Sequence, residues 1–385
     1  YIFKGATTPT TDDGGTYKDI FGGRSILGNT TTQNTITVSD AVTYRNAYGG
    51  WTSGTGSDAP ADKQKNSTLN KIKVSGAANV TGKVYGGFTD VAGGNATGNE
   101  VTIAKTIVAD VVGGKALGEA SGNTVTVKAN TGAVTGGDGA TTNNNTVNLE
   151  GNVTVNGTVT GGTAASSTDN TLNVKGMNTA QNIVGFQKVN FDATGVASGT
   201  TMLNLSTGTT TLDKSAINAT GSTVNGGVTL LENANGITIN GLGATDNILK
   251  SETDATTEKN IAVHRTGGNI TDIRYEGYQF AGVTTPVVSG TDVYGGISRA
   301  GNSTHNNVIT VNGDYANVYG GHTSGAGTTR DDKDNSYSNA VTISGGTLGN
   351  VYGGYTAADG TTNNNTVTLA GGTVTGTVSG GNRTA

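Results

Sequence analysis

Apolar and polar residues alternate along much of the chain. Residues 34–38 read NTITV, and the beat returns as NEVTI (99–103), NTVTV (123–127), NTVNL (145–149) and NTLNV (170–174). It appears again as NVITV (307–311), NAVTI (339–343) and NTVTL (365–369). Val or Ile at every second position with Thr between is the signature of a strand with one buried face. A second strand pattern closes on a glycine pair: VYGG at 84–87, 293–296, 318–321 and 351–354, with relatives IFGG (20–23), AYGG (47–50), VVGG (111–114), VTGG (134–137, 159–162) and VSGG (378–381).

The glycine pairs set a short period. Their first members at 22, 49, 86, 113, 136 and 161 are 27, 37, 27, 23 and 25 residues apart, and those at 295, 320, 353 and 380 are 25, 33 and 27 apart. Each period holds one Asn-led strand, a Gly-rich turn and one strand ending in V-x-G-G. A unit this short cannot bury its own apolar face and must stack on its neighbours. The predicted fold is all-β, a right-handed parallel β-helix with about 25 residues per coil, each coil rising by the interstrand spacing of ~4.8 Å. About fifteen coils make roughly 70 Å. Valines are expected inside, with threonines and asparagines outside. The glycine pairs are expected at sharp corners needing positive φ or close backbone approach. The leading Asn is expected to bond its own turn or to stack as an amide ladder.

A long period contains the short one. YIFKGATTP (1–9) aligns with YQFAGVTTP (278–286), DIFGGRSILGNTTTQNTITV (19–38) with DVYGGISRAGNSTHNNVITV (292–311), and AYGGWTSGTG (47–56) with VYGGHTSGAG (318–327). The insertion at 57–70 corresponds to that at 328–339. Residues 1–277 thus read as one super-repeat, with regular coils over 1–181 and variant coils over about 182–277. Residues 278–385 begin a second, in one continuous solenoid. The start without methionine and the stop in mid-coil are expected of a slice from a longer tandem array. The charged stretch 252–280 is expected to form a protruding hairpin.

Composition narrows the classes. The chain has 385 residues, 64 of them glycine, 3 prolines, no cysteine and a net charge of −5. Val, Ile, Leu and Phe make up roughly a fifth, enough only for a thin core used once per repeat. Without cysteine there is no disulfide framework or thiolate metal site. No apolar run approaches the ~20 residues that span a bilayer, so no membrane insertion by this segment is expected. The lack of basic clusters argues against nucleic acid.

The coil pattern NTVTL-x-GG-x-V-x-G-x-V-x-GG, with GFQKVNF (185–191), GTTMLNLS (199–206) and GGVTLLENANGITINGL (226–242), resembles the passenger regions of large Gram-negative autotransporter adhesins. That resemblance implies a surface-displayed β-helix, exported through a membrane barrel not in this chain. It also implies adhesion to host cells, other bacteria or itself, outside the cell. The expected partners are a host or bacterial surface protein or glycan, with self-association possible. An extracellular filament, matrix or surface-layer protein is the alternative.

Catalysis is not expected. A carbohydrate-cleaving β-helix needs carboxylates converging on one strand face, often with a basic residue, whereas acidic residues here are scattered. His264-Arg265 is the only adjacent His/Arg pair, and the three histidines (264, 305, 322) are not spaced for a metal. RDDKDN (330–335) and TTDDGG lack a spaced calcium-loop pattern. No cofactor or metal is expected. Aromatic residues precede GG in three successive coils of each copy (Phe21, Tyr48, Tyr85; Tyr294, Tyr319, Tyr352) and are expected to point outward and stack. Aromatic or imidazole rings also follow GG. Trp51, Tyr85, Phe88, Tyr319, His322, Tyr352 and Tyr355 are the candidate partner-binding residues, because exposed rings beside irregular loops make contact hot spots.

Overall fold

Strands one period apart lie side by side, parallel and in register, in a computed structural model that describes residues 3–12, 18–54, 65–221, 226–324, 334–357 and 360–384. Much of the insertions at 57–70 and 328–339, and parts of RDDKDN and TTDDGG, lie outside the described residues. The described chain is all-β apart from one 3-10 turn at Lys214–Ala216. It divides into two compact units. One comprises residues 1–221, 229–245 and 264–273, the other 222–228, 246–263 and 274–385.

In the first unit the Asn-led strands build an eight-stranded sheet from Thr35–Val38 through Lys71–Val74, Glu100–Ile103, Thr124–Val127, Thr146–Glu150, Thr171–Lys175 and Lys188–Asp192 to Ile217–Thr220. The register places like on like: Val101 opposite Val125, Val125 opposite Val147, Val147 opposite Leu172. A second sheet stacks the glycine-pair strands Lys18–Ser25, Thr43–Thr52, Lys83–Thr89, Asp110–Lys115, Val134–Asp138 and Val159–Gly162. Its first strand is edged by Thr10–Thr11, which pairs antiparallel. In the variant region, Thr201–Leu205 pairs in parallel with residues 229–233. In the second unit, Asp292–Ser298, Tyr315–Thr323, Thr347–Thr356 and Val378–Arg383 form the corresponding parallel stack, edged by the antiparallel Val287–Ser289.

The glycine pairs differ from the expectation. Except in Val159–Gly162, which ends on its pair, they lie inside extended strands that run on past the pair, and none of Gly86, Gly87, Gly113 or Gly114 has positive φ. Close approach alone demands them. A Cβ on Gly86 would sit 2.4 Å from the Gly113 carbonyl oxygen, and one on Gly87 would sit 2.4 Å from Nδ2 of Asn99. The sharp positive-φ turn instead immediately precedes the leading Asn, at Gln33, Leu69, Gly98, Gly122, Asn144 and Asp169 in the first unit and at Asn306, Ser338 and Asn364 in the second.

That turn carries the leading Asn inside, not outside as expected. Asn34, Asn70, Asn99, Asn123, Asn145 and Asn170 are all fully buried. Each of the first five donates from Nδ2 to Oδ1 of the next, at 2.7, 3.1, 3.0, 3.1 and 3.1 Å. The ladder begins where the Ala6 backbone N–H donates to Asn34 (2.9 Å) and closes where the Asn170 N–H donates to Oε1 of Gln187 (2.9 Å). Asn307, Asn339 and Asn365 repeat it, opened by the Val283 N–H. Buried amides are tolerable because each finds partners, which makes the ladder stabilising and register-specific. The asparagines within the strands do face outward, as expected. Asn173, Asn190 and Asn218 donate in turn to Asn148, Asn173 and Asn190 at 2.8, 2.9 and 3.1 Å.

The charged stretch is a hairpin, but not a freely protruding one. Ile248–Thr253 pairs antiparallel with Thr257–Thr266, and Glu258, Asn260, Ile261, Ala262 and Val263 on its second strand are buried. Apolar residues at 261–263 and the hydrogen bonds of Glu258 pull this strand in.

Candidate functional site

The residue before each glycine pair alternates with a core residue. Ile20, Ala47 and Val84 point inward and are essentially inaccessible, so Phe21, Tyr48 and Tyr85 point the other way. In-register stacking places their rings face to face, with centroids 5.1 Å apart and planes within 7°. Because both glycines of the pair face inward, the residue that follows returns to the outer face. Trp51 meets Phe21 edge-on at 5.8 Å, and Phe88 meets Tyr85 edge-on at 5.2 Å. The Arg24 guanidinium lies over Phe21 at 4.6 Å and near Trp51 at 5.4 Å, within cation–π range. The second row thereby covers the first. Tyr85 is buried, while Trp51 and Phe88 are half-buried.

The second unit repeats the row with more exposure. Tyr294, Tyr319 and Tyr352 stack at 5.2 and 5.5 Å, and His322 stacks on Tyr355 at 4.8 Å. Tyr319, His322, Tyr352 and Tyr355 are all half-buried. The structure thus brings the candidate rings together as two clusters, Trp51, Tyr85 and Phe88 in one and the other four in the second. Ring faces within each stack are occupied by neighbouring rings, so the rows offer mainly edges, hydroxyls and the imidazole.

Electrostatics follow the packing. Burial raises the Tyr85 phenol to about 12, helped by Asp138 and Asp110. Burial likewise raises Tyr48 and Tyr319, with Asp19 and Asp292 adding to it. Burial lowers His322 to about 4, so its imidazole is neutral at pH 7. These groups act as neutral hydrogen-bonding and apolar surface.

A second surface was not singled out by sequence reasoning. A depression of about 310 Å³ crosses four strands of the first unit. One side is the outward column Asn148, Asn173, Asn190 and Asn218, and the other is Glu150, Lys175, Asp192 and Thr220. Asn173 and Asn190 each spend one N–H on the preceding amide and Asn148 spends one on Thr126 Oγ1, leaving further capacity toward the trough, whereas Asn218 donates to both Asn190 and the Ala216 carbonyl. Lys128–Glu150 (2.9 Å) and Lys175–Asp192 (3.0 Å) neutralise its far side. The signal in the sequence was the polar third residue of consecutive strands (TVNLE, TLNVK, KVNFD).

His305 does not join His322. His305 stacks on Tyr337 at 5.0 Å, and no group of three or more His, Cys, Asp or Glu able to hold a metal occurs among the described residues. No described helix is long and apolar enough to cross a membrane. No family model, curated protein or solved structure matches the chain.

Proposed function

We propose that the chain is a non-enzymatic segment of an extracellular bacterial surface adhesin, wound as a right-handed parallel β-helix with about 25 residues per coil. The observation that carries this reading is the unbroken passage of one buried amide ladder, Asn34 to Asn170, through six successive coils. Such a ladder rewards one register and resists bending, and rigidity is what a stalk requires. Around it the outward positions carry polar and aromatic side chains, which is where recognition of host-cell or bacterial surface partners would reside.

Two surfaces support binding. The amide-lined trough spaces its donors by the coil rise of ~4.8 Å, close to the length of one sugar unit in an extended glycan. The half-buried edge of the aromatic rows offers amphipathic rings suited to protein contact. Repetition would multiply weak sites into useful avidity. The reading is tested by applying the labelled chain to host-cell and bacterial surfaces and to a glycan array. Binding that falls when Asn173 and Asn190 are replaced by alanine, or when Trp51 is, supports adhesion. Fibres in negative stain without any binding would favour a structural filament instead.

A further inference from the structure

Glu258 occupies a socket whose twin elsewhere in the molecule has no such occupant. In the second unit its carboxylate accepts from Ser298 Oγ (2.7 Å), from the backbone N–H groups of Arg299 (2.7 Å) and Ala300 (3.2 Å), and from Asn302 Nδ2 (2.6 Å). The turn 298–302 is shaped for this. Asn302 N–H donates to Ser298 Oγ at 2.8 Å, Gly301 has φ +80, and its carbonyl accepts from the Asp334 N–H at 2.9 Å.

The turn 25–29 has the same construction. Asn29 N–H donates to Ser25 Oγ at 2.9 Å, Gly28 has φ +75, and its carbonyl accepts from the Lys65 N–H at 2.6 Å. Ser25 is 4% exposed, so its hydroxyl is held in place as that of Ser298 is. Yet among the described residues no acceptor meets the Ser25 hydroxyl, the Ile26 or Leu27 N–H, or the Asn29 amide nitrogen. Beside these donors, Ile26 and Leu27 are 43% and 62% exposed, an apolar rim on a protein that buries most of its large apolar side chains.

We infer that the turn Ser25–Asn29 is a carboxylate-binding socket, and that its occupant is the glutamate of another copy of the Glu258 hairpin. The argument is internal to the molecule, since the same four donors in the same turn hold a carboxylate at 298–302. A neutral donor set with two backbone N–H groups is matched by one carboxylate accepting on both oxygens. Within one chain Glu258 is already held by its own 298–302 turn, so the 25–29 turn is filled by a Glu258 hairpin that has left that turn in a second copy. The socket thereby couples one chain to another, and it does so whether or not the protein binds cells.

Acetate is the first probe. Titrated into the full chain against chloride at equal ionic strength, it should move the Ile26 and Leu27 amide resonances saturably. The Arg299 and Ala300 resonances should stay still, because Glu258 blocks them. Ser25→Ala should weaken acetate at least ~10-fold, the value of one charge-assisted hydrogen bond. Absence of a saturable shift, or an equal one in Ser25→Ala, overturns the socket, and this arm needs no destabilised variant. The second probe is the Ser298→Ala/Asn302→Ala chain, which loosens its own hairpin. Sedimentation should show association that Ser25→Ala abolishes. A monomer with a native-like amide spectrum would overturn the hairpin as occupant.

Discussion

Oδ1 of Asn123 accepts two hydrogen bonds from Asn99, one from its side-chain amide and one from its backbone N–H, both at 3.0 Å. One oxygen thus satisfies a buried side chain and a buried main-chain group in the preceding coil. The Asn123 amide nitrogen meanwhile donates to the Ala96 carbonyl at 3.0 Å. The ladder is therefore main-chain scaffolding as much as side-chain decoration.

Truncating one rung leaves two donors of its neighbour without an acceptor. Asn123→Ala is expected to cost about 3 kcal/mol, from orphaned buried donors and a small cavity. Asn148→Ala, on the outward column, should cost under ~0.5 kcal/mol. Equilibrium urea denaturation of the two variants provides the comparison, and equal losses would refute the distinction.

The glycine pairs are sensitive to a single methyl group. Gly86→Ala should destabilise by more than ~3 kcal/mol, since its Cβ would press on the Gly113 carbonyl, the Asn99 Cβ and the Val101 Cγ2. Gly93→Ala meets no atom within 4 Å and pays only for φ +70, roughly 1–2 kcal/mol. Thermal denaturation should rank the two in that order.

Leu69 stands where the coils need a left-handed residue, at φ 56, and it is about half exposed. The same turn position elsewhere is Asn144, Asn306 or Asn364. Leu69→Asn should therefore raise stability by roughly 0.5–1 kcal/mol, because Asn tolerates this region better than Leu. A lower melting temperature for the variant would show that the leucine packs more usefully than its exposure indicates.

His322 makes stability depend on pH. Burial above all lowers it from 6.5 to about 4, opposed by a backbone hydrogen bond, with Arg299 adding to the lowering and Asp292 opposing it. Between those values the unfolded chain binds the proton more readily, so this contribution is complete above about pH 6.5 and is lost as pH falls toward 4. Asp192 and Asp254, whose carboxyls are lowered mainly by hydrogen bonds from Thr194 and Thr256, lose theirs only as pH falls below their ordinary value. Melting curves from pH 7.5 to 4 should show a decline that His322→Phe reduces.

The alternation of Val and Thr made the parallel, in-register pairing legible, because a strand buried on one face must place Val101 over Val125 and Val147. The stacked rings were legible for the same reason. The glycine pairs were visible but misassigned to corners, since a pattern of letters does not separate positive φ from close approach. The burial of the leading Asn depended on that same turn. Gln187, which ends the ladder, and Glu258, which clamps the turn 298–302, occur once each and follow no period, so only three-dimensional placement reveals them. The trough was hidden because its residues are ordinary strand asparagines until four of them align.

In-register parallel stacking is the claim on which everything else rests, and the absence of native cysteine allows a direct test. Thr102 and Thr126 are register partners on the outward face, one coil apart. The pair Thr102→Cys/Thr126→Cys should form an intramolecular disulfide under mild oxidation, its Cα separation of ~4.8 Å falling within disulfide range. Thr102→Cys/Asn148→Cys, two coils apart, should not. Efficient oxidation of the second pair with none of the first would contradict the account.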